Sequence, residues 1–430
     1  MQRLRVSENR RFLTHADGTP FFWLGDTAWE LFHKLNREEA ELYLDNRAER
    51  GFNVIQAVAL AEFEGVATEN AYGRLPLTRD ASGRWDPSRP DVGGEYDYWA
   101  HVDFVVDAAA ARGLYVALLP TWGDKWNKMW GKGPEIFDAE NAYAFGTWLG
   151  ARYKDRPNLV WVLGGDRPLH TGKHHAIIRS MARGLKEGDE GGHLVTLHPT
   201  GKEASSTYVH EEEWLDFHMI QSGHFAGDQG NLDMIANDYA RLPVKPILDA
   251  EPCYEDHPVD FKAANGYFDP ADVRKAAYYA VFAGAFGHTY GHHSVWSMTT
   301  EPNEYFIMTW KDAILRPGAA QMKHVRRLIE ARPFLERVPG PELLAEPYAG
   351  ANRQVATRGK RYAMAYSPNG LKLRIAMGRI EGTRVQASWY DPREGTFAAF
   401  GEYENRGVAA FQPPTSGRGD DWVLVLDGLD

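Results

Sequence analysis

Cysteine is nearly absent from this 430-residue sequence, which contains only Cys253. A single thiol excludes an intrachain disulfide, a CxxC redox pair and a cysteine-rich zinc site. Long hydrophobic runs are also missing. The longest strongly apolar stretch, residues 276–287, is too short to span a bilayer and is typical of a buried core helix. We therefore expect no transmembrane segment.

Positive charge is outweighed by negative charge, since 48 Lys and Arg side chains accompany 59 Asp and Glu side chains and the formal net charge is −11. Nucleic acids and anionic membranes bind clustered positive charge, so we expect neither as a partner. The GxGxxG, P-loop and GxSxG patterns are lacking as well. The sequence therefore predicts neither a nucleotide cofactor nor serine-based catalysis.

The N-terminal segment 1–12 is positively charged but has neither the apolar stretch nor the small-residue cleavage site of a secretory signal. We expect a cytoplasmic protein for the sequence as written, and a periplasmic or secreted one if a leader was removed. The composition, with 43% hydrophobic and 25% charged residues, is typical of a globular protein. Whether the chain is a monomer or a homo-oligomer is left open.

Three segments of different character follow one another along the chain. Residues 1–19 are predicted to form a hairpin. Residues 20–340 alternate strand-like runs with amphipathic helical stretches, which predicts a catalytic (β/α)8 TIM barrel. Its eight strand-like runs are residues 21–24, 53–59, 115–119, 159–163, 194–197, 218–221, 246–248 and 287–290. Residues 341–430 contain short alternating runs between turn signals, which predicts a small antiparallel β-sandwich domain.

Two carboxylates lie at the carboxyl ends of predicted strands, where the reactive side chains of a barrel are found. Asp166 follows the fourth strand through two glycines, and Glu251 follows the seventh. Glycosidic bond cleavage requires one carboxyl group to protonate the leaving oxygen and a second to attack or to activate water. We interpret Asp166 and Glu251 as that catalytic pair. The alternative is structural, with Asp166 capping a helix and Glu251 in a salt bridge at the rim.

Other polar and aromatic side chains near the predicted strand ends are candidates for sugar binding. They are Asp26, Gln56, Trp122, His198, Gln221, His224, Tyr290, His293 and Trp296. Asp26 is equally well explained as a helix cap, and Tyr290 and Trp296 as packing at the rim. For His198, His224 and His293 the alternative is a hydrogen-bonded core histidine.

Three tryptophans, Trp122, Trp126 and Trp130, recur every four residues. On a helix this spacing forms one stripe, which usually indicates core packing. Trp122 directly follows the third strand, and we therefore interpret it as a binding residue. The long segment that precedes this strand, residues 62–95, is predicted to be a loop over the barrel mouth.

Two histidine pairs have the four-residue spacing of metal ligands on a helix: His170 with His174, and His288 with His292. Glycines within or beside both pairs weaken this interpretation, and the glutamate of HExxH is missing. We predict no metal site and no cofactor. A metal-dependent hydrolase and a non-catalytic carbohydrate-binding protein on the same barrel remain as alternatives.

Five motifs together resemble the apiosidase-like catalytic domain, glycoside hydrolase family 140. They are FWLGDTAW at 22–29, WVLGGD at 161–166, HMIQSGH at 218–224, DAEP at 249–252 and GHTYGHH at 287–293. Residues 345–430, with WYDPR at 389–393 and DWVLVL at 421–426, resemble the C-terminal β domain that accompanies it. Related retaining barrels usually carry Asn-Glu after strand 4, whereas Gly165-Asp166 is the apiosidase-like pattern.

The resemblance implies a retaining glycosidase that removes apiose-linked sugars from the side chains of pectic rhamnogalacturonan II. Asp166 is then the acid/base and Glu251 the nucleophile. The expected partner is an oligosaccharide, and no cofactor takes part.

Overall fold

The structure, a computed structural model, describes residues 1–226 and 230–430. Within these ranges the strands are, in chain order, β1 (Leu4–Val6), β2 (Leu13–His15), β3 (Pro20–Phe21), β4 (Trp23–Thr27), β5 (Val54–Leu60), β6 (Leu77–Arg79), β7 (Trp85–Pro90), β8 (Tyr115–Thr121), β9 (Leu159–Gly164), β10 (Val195–His198), β11 (Glu203–Ala204), β12 (His218–Gln221), β13 (Ile247–Asp249), β14 (Gly287–Tyr290), β15 (Val338–Pro339), β16 (Val355–Arg358), β17 (Tyr362–Ser367), β18 (Leu373–Ala376), β19 (Arg384–Asp391), β20 (Thr396–Glu404), β21 (Val408–Phe411) and β22 (Trp422–Leu429). The α-helices are α1 (Leu31–Lys34), α2 (Arg37–Glu49), α3 (Tyr98–Ala111), α4 (Ala139–Tyr153), α5 (Gly172–Gly188), α6 (Ser206–Val209), α7 (Asn231–Tyr239), α8 (Pro270–Phe282), α9 (His293–Trp296), α10 (Trp310–Ala313) and α11 (Pro317–Glu330). No helix in the described ranges combines the length and the apolar character needed to cross a bilayer.

Parallel strands occur at all eight predicted places, and several run one to three residues further at the carboxyl end. Six form one curled sheet in the order β10–β9–β8–β5–β4–β14, while β12 pairs in parallel with β13. Single backbone hydrogen bonds, from Asp216 N to Val195 O and from Phe286 N to Ile247 O, connect the two groups of strands. Among the described residues the ladder is therefore interrupted at two places, and a continuous eight-stranded ladder is not formed.

Local sequence signals set where the flanking helices begin. α2 has a capping box, in which Asn36 Oδ1 accepts from Glu39 N at 2.9 Å. α8 begins with Asp269 as its cap and Pro270 in its first turn. The apolar run 276–287, predicted to be one core helix, is divided: α8 ends at Phe282, and β14 begins at Gly287. Both parts are buried, which explains why no regularly spaced polar residues interrupt the run.

The N-terminal segment forms a three-stranded antiparallel sheet rather than a two-stranded hairpin, because β3 pairs with β2. The Tyr115 hydroxyl, at the beginning of β8, donates to Gln2 O at 2.5 Å. The small sheet therefore lies at the amino ends of the parallel strands, opposite the end where the candidate residues lie.

The segment 62–95 is not only a loop, because β6 and β7 pair within it as an antiparallel hairpin. The Asp80 carboxylate stabilises the connecting turn by accepting from Ser82 N at 2.8 Å and from Arg84 N at 3.0 Å. Asx turns of this kind join strands without an Asn-Gly signal, so the hairpin was not visible in the sequence.

The C-terminal region forms a six-stranded antiparallel sheet in the order β15–β16–β17–β22–β19–β20 and a two-stranded antiparallel sheet of β18 and β21. Side chains of both, among them Ile375, Phe411 and Leu424, share one apolar core. The opposite face of the large sheet packs on α8, where the rings of Tyr278 and Tyr366 stack with centroids 4.8 Å apart. The domain is therefore attached through the helices that flank β14.

Candidate active site

A cleft of about 540 Å³ opens among the residues that follow the carboxyl ends of the parallel strands. Six of the eleven site residues predicted from the sequence line it: Trp122, Asp166, Gln221, His224, Glu251 and Trp296. A groove of similar volume, about 560 Å³, lies beside the β6–β7 hairpin, but neither candidate carboxylate lines it. The first cleft is therefore the candidate active site.

The backbone turn before Asp166 explains how its carboxyl reaches the cleft. Gly164, Gly165 and Asp166 have φ values of 91°, 95° and 57°, all in the left-handed region. A Cβ atom on Gly165 would lie 2.7 Å from Gly123 N, so only glycine fits there. The helix that follows is capped by Thr171, whose side chain accepts from His174 N, so Asp166 is not its cap.

The Asp166 carboxyl is held in a mostly buried position that favours its protonated form. Its side chain is 20% exposed, and Arg167 Nη1 lies 3.1 Å from Asp166 Oδ2. Burial, with repulsion from the nearby Glu251 carboxylate, raises the pKa of Asp166 to about 7, although Arg167, His198 and Gln221 oppose the rise. The group is therefore able to carry a proton near neutral pH.

The Glu251 carboxylate has the opposite character. His198 Nε2 lies 3.1 Å from Glu251 Oε2, and His224 Nε2 lies 3.1 Å from Oε1. Burial alone would raise the pKa of Glu251, but attraction from the two nearby imidazoles, with the hydrogen bond to His224, outweighs it and lowers the pKa to about 2. His198 itself is fully buried and does not line the cleft, so it contacts the carboxylate from behind.

The two carboxyls therefore offer different chemistry on one cleft. One retains a proton near pH 7, as a general acid must, and the other is fully ionised, as a nucleophile or general base must be. Neighbouring carboxyls whose pKa values are pushed apart are the arrangement that glycosidic bond cleavage requires.

Asp26 lies away from the cleft, in the fully buried layer beneath it. Its Oδ2 atom accepts from Arg47 Nε at 2.6 Å and from the Tyr43 hydroxyl at 2.5 Å. It does not cap α1 either, because Glu30 precedes that helix. The carboxylate neutralises a buried arginine, so neither the sugar-binding nor the capping interpretation describes its contacts.

Three further candidates also lie outside the cleft wall. Gln56 is buried inside the strands, where its Nε2 atom donates to Ala250 O at 3.0 Å. The Tyr290 hydroxyl donates to Glu255 Oε2 at 2.6 Å. His293 is buried behind the lining, with its ring stacked on Phe306 at a centroid distance of 4.4 Å. Tyr290 ends β14 and His293 follows it, whereas Gln56 lies within β5 rather than at its end, and none of the three side chains lines the cleft.

Several residues that line the cleft were missed by the sequence analysis. Glu62 follows β5, and its carboxyl lies 3.4 Å from Arg167 Nη2. Burial raises the pKa of Glu62 to about 8, although Arg167 opposes the rise. Its position directly after a predicted strand is the feature of the sequence from which Glu62 could have been predicted.

Trp130 is exposed, whereas the four-residue spacing of the tryptophans predicts that it packs in the core. Between Trp122 and Trp130 the chain forms only a short 3-10 turn at Gly123–Lys125, so the helical period does not apply. Trp126 is buried, whereas Trp130 is 58% exposed and lines the cleft. Phe63 and Phe261 also line it as exposed rings.

The histidine pairs considered as metal ligands are not gathered into a metal site. His292 Nε2 pairs with Asp256 Oδ2 at 3.0 Å, and His288 is buried within β14. Over residues 1–226 and 230–430, no group of three or more His, Cys, Asp or Glu side chains has an arrangement that would hold a metal ion.

Comparison with known proteins agrees with the fold. Residues 7–336 match the family model described as the apiosidase-like catalytic domain, and residues 338–427 match the putative collagen-binding domain of a collagenase. No curated protein matches the chain significantly.

Two solved structures resemble nearly the whole chain. A glycoside hydrolase family 5 structure from Bacteroides vulgatus ATCC 8482 is 33% identical, with a TM-score of 0.91, covering 99% of this chain and 93% of that one. A structure described as a glycoside hydrolase is 35% identical, with a TM-score of 0.91 and coverages of 99% and 97%. A putative glycoside hydrolase from Bacteroides vulgatus, 15% identical with a TM-score of 0.71 and coverages of 100% and 82%, shares the fold.

The curled parallel sheet, followed by an antiparallel-sheet domain, is thus a TIM-like glycoside hydrolase fold, and this protein is a glycoside hydrolase. More specifically, the chain belongs to the apiosidase-like family.

Proposed function

We propose that this protein hydrolyses glycosidic bonds by a retaining double displacement, with Asp166 as acid/base and Glu251 as nucleophile. The observation that carries the proposal is that both carboxyls line one cleft in different surroundings, Asp166 beside Arg167 and Glu251 between two imidazoles, which raises the pKa of Asp166 and lowers that of Glu251. In this proposal the eight parallel strands form a (β/α)8 barrel whose hydrogen-bond ladder is interrupted at two places, and both groups follow strands at its carboxyl-end rim.

In the first step Glu251 attacks the anomeric carbon while Asp166 donates its proton to the oxygen of the leaving group. The bond to the leaving group breaks and a covalent glycosyl-enzyme forms. Asp166, now ionised, then takes a proton from water, which attacks the same carbon and releases both the sugar and Glu251. His198 and His224 keep Glu251 ionised and oriented, so we assign them as positioning residues.

The proposed substrate is a plant-type, pectic oligosaccharide that contains apiose. Two points support it: the match to the apiosidase-like model, and the resemblance of the five motifs to glycoside hydrolase family 140. Gly165-Asp166 in place of Asn-Glu separates this chain from cellulases and mannanases. Trp122 and Trp296 offer ring faces to the sugar, and Gln221 offers an amide.

A hydrolysis panel of pectic oligosaccharides and aryl glycosides tests the proposal. We expect turnover of an apiose-containing member by the wild-type protein and none by Glu251→Gln, with unchanged circular dichroism and thermal unfolding. Exposed Glu64→Gln is the matched control and should retain full activity. Binding without turnover, or activity that is lost on chelation and restored by a divalent metal, would contradict the proposal.

A further inference from the structure

Two large aromatic rings are exposed on one side of the cleft. Trp130, in the loop after β8, is 58% exposed, and Phe63, in the loop after β5, is 41% exposed. Both line the cleft. Exposed rings of this size at a cleft wall indicate a surface for ligand binding, because burial would otherwise be favoured.

Arg167 connects Trp130 directly to the acid/base. Its guanidinium carbon lies 4.2 Å from the centroid of the Trp130 ring, and its Nη1 atom lies 3.1 Å from Asp166 Oδ2. A Cβ atom on Gly131 would lie 2.7 Å from Arg167 Nη2, so glycine allows the loop to approach the guanidinium. One ring face therefore covers Arg167 beside Asp166, and the exposed remainder of the ring lines the cleft.

Phe63 is fixed on the same side. Glu62, the residue before it, lies 3.4 Å from Arg167 Nη2. The buried Lys125 ammonium donates to Phe63 O at 2.9 Å and to Gly133 O at 3.1 Å. Because Lys125 joins the loops after β5 and β8, the backbone segments that carry the two rings are held together before any ligand binds.

The opposite wall of the cleft belongs to the nucleophile. Phe261 is 49% exposed, and its ring centroid lies 5.7 Å from that of His224, which contacts Glu251. The wall with Trp130 and Phe63 therefore lies beside Asp166, and the wall with Phe261 lies beside Glu251. In a double displacement the acid/base contacts the departing oxygen, whereas the nucleophile contacts the sugar that becomes bound.

We propose that Trp130 and Phe63 form the binding subsite for the leaving group, and that they take a sugar residue through a ring face rich in C–H groups. The inference rests on the proposed roles of Asp166 and Glu251. It assigns the two walls: the Asp166 wall binds the part of the oligosaccharide that departs, and the Phe261 wall binds the part that stays.

The kinetic consequence is specific. A subsite for the leaving group lowers the barrier of the first chemical step only for substrates whose leaving group carries a ring. It leaves a substrate with a small leaving group unaffected, because no atom of that substrate reaches the two aromatic rings.

The test compares two substrates with the same glycone. One is the oligosaccharide hydrolysed best in the panel, and the other is the corresponding 2,2,2-trifluoroethyl glycoside, whose leaving alcohol has an acidity comparable with that of a sugar hydroxyl but no ring. We expect Trp130→Ala and Phe63→Ala each to lower kcat/KM roughly three- to tenfold for the oligosaccharide. Both variants should stay within about twofold of wild type on the trifluoroethyl glycoside, and Trp130→Phe should be intermediate on the oligosaccharide.

Phe261→Ala is the matched control, because it removes an exposed ring from the other wall and should lower kcat/KM on both substrates alike. Since both leaving groups need acid assistance, damage to Asp166 through Arg167 would reduce both rates equally. Equal losses on both substrates for Trp130→Ala and Phe63→Ala, or no loss on either, would overturn the proposed subsite. Failure of the wild-type protein to hydrolyse either substrate would instead contradict the proposed function.

Discussion

The imidazole of His224 holds one oxygen of the Glu251 carboxylate at 3.1 Å, and this contact contributes to the low pKa of that carboxyl. Without this imidazole only His198 would oppose the effect of burial, and the pKa of Glu251 would rise. Glu251 must be ionised to attack, so activity falls as the pH drops through its pKa.

We therefore expect that the pH below which kcat/KM falls, the acid limb of the pH profile, is about one unit higher in His224→Ala than in the wild type. The measurement is a pH profile on an activated aryl glycoside, where acid assistance matters least. His170→Ala, which removes an exposed histidine, is the control and should leave the limb unchanged. An unshifted limb in His224→Ala would show that the imidazole does not set the ionisation of Glu251.

The pKa of Asp166 predicts the basic limb. The acid must be protonated for the first step, so kcat/KM should decline as the pH rises through about 7. Asp166→Asn should lose about 10²- to 10⁴-fold on substrates with poor leaving groups and much less on activated aryl glycosides. On the activated substrates, kcat/KM of Asp166→Asn should also no longer decline as the pH rises through about 7. Equal losses on both substrate types would count against the acid role.

The left-handed backbone at Gly165 predicts a cost in stability. Gly165→Ala forces a side chain into φ 95° and against Gly123 N, so we expect a loss of about 1–3 kcal/mol in the free energy of unfolding, together with reduced activity. Urea denaturation gives the value. Gly172→Ala is the control, because a Cβ atom there has no atom within 4 Å. A loss no larger than that of the control would mean that the turn relaxes without strain.

The ion pair between Asp26 and Arg47 is completely buried. Asp26→Asn leaves the arginine charge without its counterion, so we expect a destabilisation of about 3–5 kcal/mol. The exposed pair of Asp45 with Arg112 provides the contrast, and Asp45→Asn should cost less than about 1 kcal/mol. If folded Asp26→Asn changed the preference between leaving groups, Asp26 would have a role in substrate binding after all.

The parallel strands could be predicted from the sequence because each is buried on both sides and therefore appears as a short apolar run between helices. β5 and β8 are buried at every residue. The C-terminal domain was predicted less completely. Most residues of β20 are exposed, and buried residues do not alternate with exposed ones. The sequence therefore lacks the alternating hydrophobic pattern that would have predicted this strand.

The sequence predicted those site residues whose side chains reach the cleft simply because they follow a strand. Asp166 and Glu251 follow strands and line the cleft, as expected. Asp26 and Tyr290 occupy equivalent positions, but long-range partners, Arg47 and Glu255, bind their side chains in the core. Such partners lie far away in the sequence, and no local spacing reveals them.

The stereochemistry of the first product tests the central claim most directly. Proton NMR of the anomeric region, recorded in the first turnovers before mutarotation, distinguishes the two outcomes. If Glu251 forms a covalent intermediate that water opens with help from Asp166, the released sugar has the same anomeric configuration as the substrate. Release of the opposite anomer would contradict the account, because Glu251 would then activate water instead of attacking the sugar.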